Sequence, residues 1–277
     1  MARVAANQDR AEADRAHYVY VQHARVTSRK GSKIMCEETT DSRVTPSDKG
    51  SEQKIVKLDG RLLVKGRYVT YTALPRKRAK ATQAAGQTET KPEEKDVDIE
   101  IGDDSTDRDL VENMRENLTN RNSKDGIAAN LFPLNSKNQA EDTFRLLGRG
   151  PMNGRDAYHI EFSPKDKSDF GWKGDAWIDS SEFQPILVRT AMSRKIPFAV
   201  RTMLGINLPG LGFTVVYAPQ DGKLWFPVSF GTEFKIKVLF FFNRTIVIAA
   251  ENRDFERTHV TTTVHTAEAT PIPESPQ

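Results

Sequence analysis

The chain has 277 residues, of which 37% are hydrophobic and 29% charged, and its formal net charge is +3. This length allows one large β domain or two small domains. The net charge is too small for the overall electrostatic field of the molecule to indicate a nucleic-acid or membrane partner. The single cysteine, Cys36, excludes an internal disulfide and a zinc site built from cysteines. No apolar run reaches the roughly eighteen residues that a membrane-spanning helix needs.

The N-terminal part of the sequence predicts a helix followed by an antiparallel meander. Residues 1–16 have helical composition, with alanines among charged groups. HYVYVQHARV then alternates, with Tyr18 and Tyr20 on one side, and a turn at Gly31 leads back through Cys36. The charged start shows no export signal, which leaves two alternatives: a cytoplasmic protein, or an exported one whose natural chain begins upstream. The alanine-rich opening favours the second.

A second helix is predicted from Asp107 to Asn120, with Thr106 as a plausible N-cap. It carries one apolar stripe, formed by Leu110, Val111, Met114 and Leu118. This stripe needs burial, so residues 105–138 are predicted to form a helical cover.

Two segments predict no stable structure. Residues 75–95 have almost no bulky apolar side chain and cannot offset their ordering entropy, so we predict a mobile loop. The Pro-rich end, 265–277, predicts a disordered tail. The chain therefore divides into helix 1–16, a single domain 17–264 and this tail.

The stretch from Asp142 to Phe255 predicts a continuous series of antiparallel strands. Tyr158, Ile160 and Phe162 alternate with smaller or polar residues, as is typical of strands that are wet on one face and covered on the other. So many large apolar groups on one face need a cover, which could be a helix, a partner or an apolar ligand.

The sequence contains no catalytic signature: a Walker A loop, an H-E-x-x-H pair and a G-x-S-x-G elbow are all absent. GRGPMNG misses the dinucleotide fingerprint by one residue and lies between two strands, which favours a hairpin turn. Asp175, Asp179 and Glu182 could form an acid/base pair, but the place of Asp179 at a strand end favours a structural bond to turn amides. We therefore predict a non-enzymatic protein with no cofactor and no metal site.

The segment from Ser193 to Phe213 combines apolar residues with three cations. Two alternatives fit it: a short helix or loop lying on a lipid surface, or a cap that closes one end of the barrel, which is slightly favoured. Both place the segment at the mouth of the sheet. The candidates for rim or membrane contact are Phe198, Arg201, Met203, Leu204 and Leu208.

Three stretches carry a resemblance to a known family: GRDAYHIEFSPKD, WKGDAWIDSSEFQPILVRT and KLWFPVSFGTEF. In that family a strand ending in W-I-D leads through a turn to a strand of the form P-x-x-x-R, and the matching residues are Trp177, Ile178, Asp179, Pro185 and Arg189. The chain thus resembles the outer-membrane lipoprotein-sorting superfamily, the LolA–LolB–RseB-like group of periplasmic carriers and receptors. DGIAANLFPLN and SRKIPFAVRTMLG resemble a bacterial branch of this group. The sequence lacks a lipobox cysteine near its start, which disfavours a membrane-anchored receptor.

The resemblance implies a mainly β fold: a curved, incomplete antiparallel β-barrel, or half-barrel, with a few helices covering its open side. Between them it implies an apolar cavity for acyl chains. It further implies a monomeric periplasmic protein of carrier or sorting type, whose partners are a lipid or an acylated lipoprotein and a membrane protein, without nucleic acid. The alternative is an RseB-like sensor or protein-interaction scaffold with a filled barrel.

An acyl chain needs a large aromatic and aliphatic lining. Each buried CH₂ contributes about 0.8 kcal/mol, so a chain of about sixteen carbons requires a site that returns on the order of 10 kcal/mol. The candidates for this lining are Tyr18, Tyr20, Phe144, Tyr158, Ile160, Phe162, Trp177, Phe213, Tyr217, Phe226 and Phe240. For any single one of them, a place in a closed core is the favoured alternative.

Overall fold

The computed structural model describes residues 1–47, 50–73, 106–119, 121, 123, 126, 134–166, 172–193, 206–207, 211–220, 224–238 and 242–258. The predicted loop at 75–95 and the predicted tail at 265–277 lie outside these residues, as does most of the apolar segment at 193–213. The division into one helix, one domain and a tail stays a prediction.

Within these residues the chain forms three helices and twelve strands. The first elements are α1 (Ala2–Arg15), β1 (Tyr18–Lys30), β2 (Lys33–Ser47), β3 (Gly50–Val64) and β4 (Arg67–Tyr71). Two helices follow, α2 (Thr106–Glu116) and α3 (Ser136–Gln139). The remaining strands are β5 (Asp142–Met152), β6 (Arg155–Pro164), β7 (Trp172–Asp179), β8 (Pro185–Met192), β9 (Ile206–Asn207), β10 (Gly212–Gln220), β11 (Leu224–Val238) and β12 (Phe242–Arg257). None of the three helices has the length and apolar character of a membrane span.

The strands pair into one open antiparallel sheet. Eleven of them follow the order β4-β3-β2-β1-β12-β11-β10-β8-β7-β6-β5, and β9 pairs with β11 beside this path. β4 and β5 end the path at opposite sides, so the sheet does not close into a barrel. The predicted fold class, a mainly β half-barrel with few helices, is confirmed.

Two tight hairpins show how the sequence sets the strand pairing. Lys65 and Gly66 join β3 to β4, and Asn153 and Gly154 join β5 to β6. All four residues have positive φ, between 47° and 82°, which is the type I′ geometry whose twist matches that of the flanking strands. The prediction that GRGPMNG forms a hairpin turn is confirmed.

Helix α1 lies in the predicted N-terminal helical segment and covers one half of the sheet. Its buried apolar residues are small, Val4, Ala5 and Ala11. We call the face of the sheet that the helices cover the inner face. The α1 cluster consists of Val4, Leu134, Ala157, Phe162, Ala176, Ile178, Ile186, Val188, Val215, Tyr217 and Trp225.

Helix α2 covers the other half through the predicted apolar stripe. Leu110 and Val111 are completely buried, and Met114 and Leu118 pack against the same cluster. The helix ends at Glu116 rather than at Asn120, because the amide of Leu118 bonds to the carbonyl three residues before it and tightens the last turn. The α2 cluster consists of Val26, Cys36, Leu110, Val111, Phe234, Ile236, Phe242, Ile246 and Ile248.

Two buried ion pairs fix α2 to the sheet. Arg115 of the helix donates to Glu38 of β2, and their side chains are only 2% and 1% exposed. Asp107, at the start of the helix, accepts two bonds from Arg244 of β12, at 2.6 and 2.8 Å. Ser28 of β1 donates a third bond to Asp107 at 2.6 Å. Removing one partner of such a pair lowers the stability of the fold, because the other charge is then buried without a counter-ion.

The groups around Glu38 form a closed polar cluster. The hydroxyl of Tyr71 donates to Glu38 at 2.8 Å and lies 3.3 Å from the Cys36 sulfur. Burial, aided by the charge of Glu38, raises the pKa of the Cys36 thiol to about 12. A thiol with this pKa stays protonated near neutral pH, so Cys36 is an inert buried residue.

We predict that Arg115→Met lowers the free energy of unfolding by about 3–5 kcal/mol, because it leaves the buried Glu38 carboxylate without its cation. The double variant Glu38→Leu, Arg115→Met should recover most of this loss, since no unpaired charge remains. Urea unfolding followed by circular dichroism measures both values. The control is Arg145→Met, which breaks an exposed pair with Glu161 and should cost about 0–1 kcal/mol. A double variant as unstable as the single one would contradict this account.

Candidate functional site

The strand register determines which side chains share the inner face. Ile160 lies opposite Ala176, Ala176 opposite Val188, and Val188 opposite Val215. Paired residues point to the same side of a sheet, so these residues form one row across β6, β7, β8 and β10. All four belong to the α1 cluster or pack against it. Phe230 of β11 continues the row opposite Val215.

A neighbouring row on the same face has a low centre. In register order across five strands it consists of Phe144, Phe162, Gly174, Thr190 and Phe213. Its large side chains stand at the two ends, and its smallest residue, Gly174, stands in the middle. A Cβ on Gly174 would meet the backbone carbonyl of Arg189, so this glycine lets β8 lie close to β7. We call the low centre of this row over β7 and β8, which has aromatic side chains on both sides, the groove.

Aromatic contacts extend along one side of this groove. The ring of Phe213 lies 4.9 Å from that of Trp172 and 5.2 Å from that of Phe230, and all three side chains are half-buried. Phe230 packs against both apolar clusters, so it joins the two halves of the inner face. We use the name aromatic strip for the half-buried apolar residues on both sides of the groove, which are Phe144, Ile160, Trp172, Phe213 and Phe230.

The two ends of the groove differ in exposure. At the end covered by α1, Ala176, Ile178 and Val188 are at most 1% exposed. At the other end Trp172 and Gly174 are half-buried. At the β5 side Leu146, which lies opposite Ile160, is 63% exposed. The groove is thus sealed under α1 and accessible near Trp172 and near β5.

The inner face of β1 and β2 carries buried polar residues among its apolar ones. Its buried residues include Gln22, Ser28, Glu38, Thr40 and Ser42. An acyl chain placed against them would leave hydrogen-bonding groups without partners, which is costly in an apolar setting. Within the described residues, the surface suited to an acyl chain is therefore limited to the aromatic strip and its surroundings.

The structure brings together some of the predicted lining residues. Phe144, Ile160, Phe162 and Phe213 lie on the two inner rows. Tyr217 is 6% exposed and belongs to the α1 cluster, so it fills the core under the helix.

The other predicted tyrosines contact different groups. Tyr158 stacks on Phe183 with the ring centroids 6.3 Å apart. Tyr18 packs edge-on against Phe226 at 5.2 Å, and Tyr20 lies 5.6 Å from Phe255. The rings of Tyr18, Tyr20, Phe226 and Phe255 form a separate aromatic group near the start of β1, away from the strip.

Trp177 faces away from the strip, contrary to its predicted place. It stacks on His159 at 4.1 Å, and the guanidinium of Arg189 lies 5.0 Å from its ring. Because Trp177 is five positions from Trp172 on an unbroken strand, the two tryptophans point to opposite faces. Trp177 also touches residues of the α1 cluster, but it does so from the outer face.

The remaining predicted site residues lie outside the described part of the chain. They are Phe198, Arg201, Met203, Leu204, Leu208 and Phe240. Their assignment to the rim or to the cavity stays a prediction.

The sequence analysis missed two members of the aromatic strip, Trp172 and Phe230. A signal for Trp172 was available, because it shares the parity of Gly174, Ala176 and Ile178 on β7. The sequence analysis also missed the charged half of the inner face. Glu38 and Arg115 are 77 positions apart, and no local pattern indicates that they meet.

Asp179, considered above as an acid/base candidate, organises a turn. Its carboxylate accepts bonds from the Ser181 and Glu182 amides at 2.9 and 2.8 Å and from Arg155 at 3.0 Å. Burial acts to raise its pKa, but these bonds outweigh burial and lower the pKa to about 2. The same turn holds α1, because Asn7 donates to the carbonyl of Glu182 at 2.8 Å. The W-I-D motif thus positions the helix that seals the groove.

No protein-family model and no curated protein sequence matches the chain. Solved structures align with it over most of their length. A DUF1329 family protein from Desulfovibrio piger is 10% identical, with coverage of 94% of this chain and 92% of that one, at a TM-score of 0.38. An outer membrane lipoprotein-sorting protein domain from Vibrio parahaemolyticus is 12% identical, with 93% of each chain covered, at 0.35. A LolA superfamily protein from Nitrosomonas europaea is 13% identical, with 92% and 94% covered, at 0.34.

Two of these three proteins carry the family names that the sequence resemblance predicts. Their identities and TM-scores are too low to assign this chain to a family. The function is therefore argued from the geometry of the inner face.

We predict that Asp179 makes the stability of the fold depend on pH at the acidic end. Its pKa is lower in the folded chain than the value of about 3.9 expected when unfolded, so it stabilises the fold above that value and loses this effect as the pH falls towards 2. The loss between pH 5 and pH 2 should be about 2 kcal/mol in the free energy of unfolding. Asp179→Asn should flatten this part of the pH profile in denaturant titrations, whereas the exposed-site control Asp254→Asn should not. An unchanged profile in Asp179→Asn would refute the assignment.

Proposed function

We propose that this protein is a non-catalytic binding protein that holds the acyl chain of a lipid or of an acylated lipoprotein against the aromatic strip. The observation that carries the proposal is the groove on the inner face, which has large apolar side chains on both sides and a glycine at its centre. It is accessible at one end, where Trp172 is half-buried.

The chemistry of the groove suits a long, flexible hydrocarbon. Aromatic rings such as those of Trp172, Phe213 and Phe230 present large apolar areas that gain free energy when a ligand removes them from water. Each CH₂ of the ligand that is buried contributes about 0.8 kcal/mol, so even half of a sixteen-carbon chain would supply about 6 kcal/mol before the cost of ordering it.

The position of the α1 helix supports a binding groove with one closed end. The small side chains of Val4, Ala5 and Ala11 let α1 lie close to the sheet over Ile178 and Trp225. A ligand would therefore enter from the Trp172 end or from the β5 side, where Leu146 is exposed. Its polar end group would remain in water there.

The proposed setting follows the sequence resemblance: a periplasmic carrier or sorting protein that acts as a monomer and exchanges its ligand with a membrane protein. The residues of the apolar segment at 193–213 are the proposed rim of the groove. These statements rest on the motifs around Trp177 and Pro185 and on the apolar composition of the segment.

A second candidate function is supported by the other half of the inner face. Beneath α2 the ion pairs Glu38–Arg115 and Asp107–Arg244 occupy the space that a fully hollow barrel would leave empty. A filled half-barrel that presents its rim to another protein, as in a sensor or an interaction scaffold, would have such an interior.

We predict that Trp172→Ala weakens binding of a fluorescent sixteen-carbon fatty acid about tenfold, because it removes a large apolar contact from the groove. The matched control is Trp177→Ala, the same substitution on the same strand but on the outer face, which should change the dissociation constant less than about twofold. Fluorescence titration measures both. Phe213→Ala should behave like Trp172→Ala.

Native mass spectrometry of the purified parent protein gives an independent readout. A co-purified mass equal to that of a phospholipid or fatty acid supports the binding function. Equal losses in Trp172→Ala and Trp177→Ala would rule out the groove as the site. Failure of the parent to bind the fatty acid, together with a clean protein mass, would favour the interaction scaffold.

A further inference from the structure

The exposed large apolar residues of the described part of the chain all lie at the two free edges of the sheet. Val56, Tyr68 and Val69 belong to the β3–β4 edge, where they are 47% to 68% exposed. Leu146 and Leu147 belong to the opposite edge, on β5. Edge strands carry unpaired backbone groups and can pair with another chain, and exposed apolar side chains strengthen such pairing.

Backbone geometry indicates which groups of β4 are available. The type I′ turn at Lys65 and Gly66 places Val64 opposite Arg67 as the closing pair. Hydrogen-bonded and non-hydrogen-bonded pairs alternate in antiparallel strands, so the backbone groups of Tyr68 and Thr70 point away from β3. In the described part of the sheet no strand lies on that side of β4.

Charge distinguishes the two edges. On the β5 side, Arg145 is bound to Glu161 and Arg149 to Asp156, so the cations of that edge are already neutralised. On the β3–β4 side, the exposed cations are Lys54, Lys57, Lys65 and Arg67. Lys57 pairs with Asp59, whereas no ion pair is seen among the described residues for the other three. The exposed acids of the same stretch are Glu52 and Asp59, and Asp59 is already paired with Lys57. The β3–β4 edge therefore has a surplus of positive charge that a partner can neutralise.

A cavity beside β4 offers a place for a side chain of that partner. Its volume is about 270 Å³, and it is lined by Glu37, Thr39, Asp59, Arg61, Thr70 and Thr72 among others. Hydroxyl groups, the Glu37–Arg61 pair and Asp59, which is paired with Lys57, form most of this lining. When an extended peptide adds to a sheet edge, backbone bonds supply affinity and pockets for alternate side chains supply selectivity.

We propose that the edge of β4 is a docking site for an extended, acidic segment of a partner protein, which adds to the sheet as a further antiparallel or parallel strand. Two other occupants fit less well. A second copy joined through the same edge would add its own surplus of positive charge to this one. A lipid surface would leave the outward backbone groups of Tyr68 and Thr70 without hydrogen-bond partners. This inference does not depend on acyl-chain binding.

The experiment uses a fluorescently labelled ten-residue peptide of alternating glutamate and valine, with a lysine–valine peptide as the charge control. Fluorescence anisotropy with the full chain should show binding of the acidic peptide that weakens as salt is added. Arg67→Glu should weaken this binding about tenfold. The matched control is Lys173→Glu, an exposed strand cation on β7, eight strands away along the sheet, which should have less than about a twofold effect.

Thr70→Pro tests the backbone contribution. It removes an outward amide without breaking a bond to β3, so it should also weaken peptide binding about tenfold while circular dichroism stays unchanged. Equal affinity for the two peptides would overturn the proposal, and so would equal losses in Arg67→Glu and Lys173→Glu. Binding to anionic phosphatidylglycerol vesicles without binding to the acidic peptide would overturn it in favour of a membrane surface.

Discussion

An open sheet with one apolar face has to bury that face against something other than itself. In this protein the constraint arises because the strands follow a single path from β4 to β5 and never close. Two helices from distant parts of the sequence supply most of the described cover, and each uses a different kind of interaction. The properties of the inner face follow from this division.

Helix α1 covers its half by close approach. Its small side chains and its bonds to the turn after β7 hold it against a floor of aliphatic and aromatic residues. Helix α2 covers its half through an apolar stripe, and buried charges fix its position. Ion pairs of this kind contribute little net stability but are costly to break one partner at a time. They therefore specify where α2 lies more than they strengthen the fold.

The aromatic strip reaches the place where the two covers meet. Phe230 packs against both clusters, and Trp172 and Phe213 extend from it toward the accessible end. On one side the interior is filled by α2 and its buried charge pairs, and on the other it is a sealed apolar core. This region is therefore the part of the described inner face suited to a hydrocarbon ligand. The free edges present a separate kind of surface, because they offer backbone groups rather than an apolar lining. A single open sheet can thus support one ligand on its face and another partner at its edge.

Local patterns in the sequence determined the strands, the two long helices and the turns. Three features depend only on residues that are close in the chain: the alternation in β6, the apolar stripe of α2 and the Asn153–Gly154 turn. They can therefore be predicted without knowledge of the tertiary structure. The alternation of side chains along β7 also predicts that Trp172 and Trp177 belong to opposite faces. The prediction nevertheless selected Trp177, which lies in the W-I-D motif, rather than Trp172. The pairing of Asp107 with Arg244, 137 positions away, was decided only by the tertiary structure. Burial and charge pairing depend on which distant strands become neighbours, and short-range sequence patterns carry no information about that.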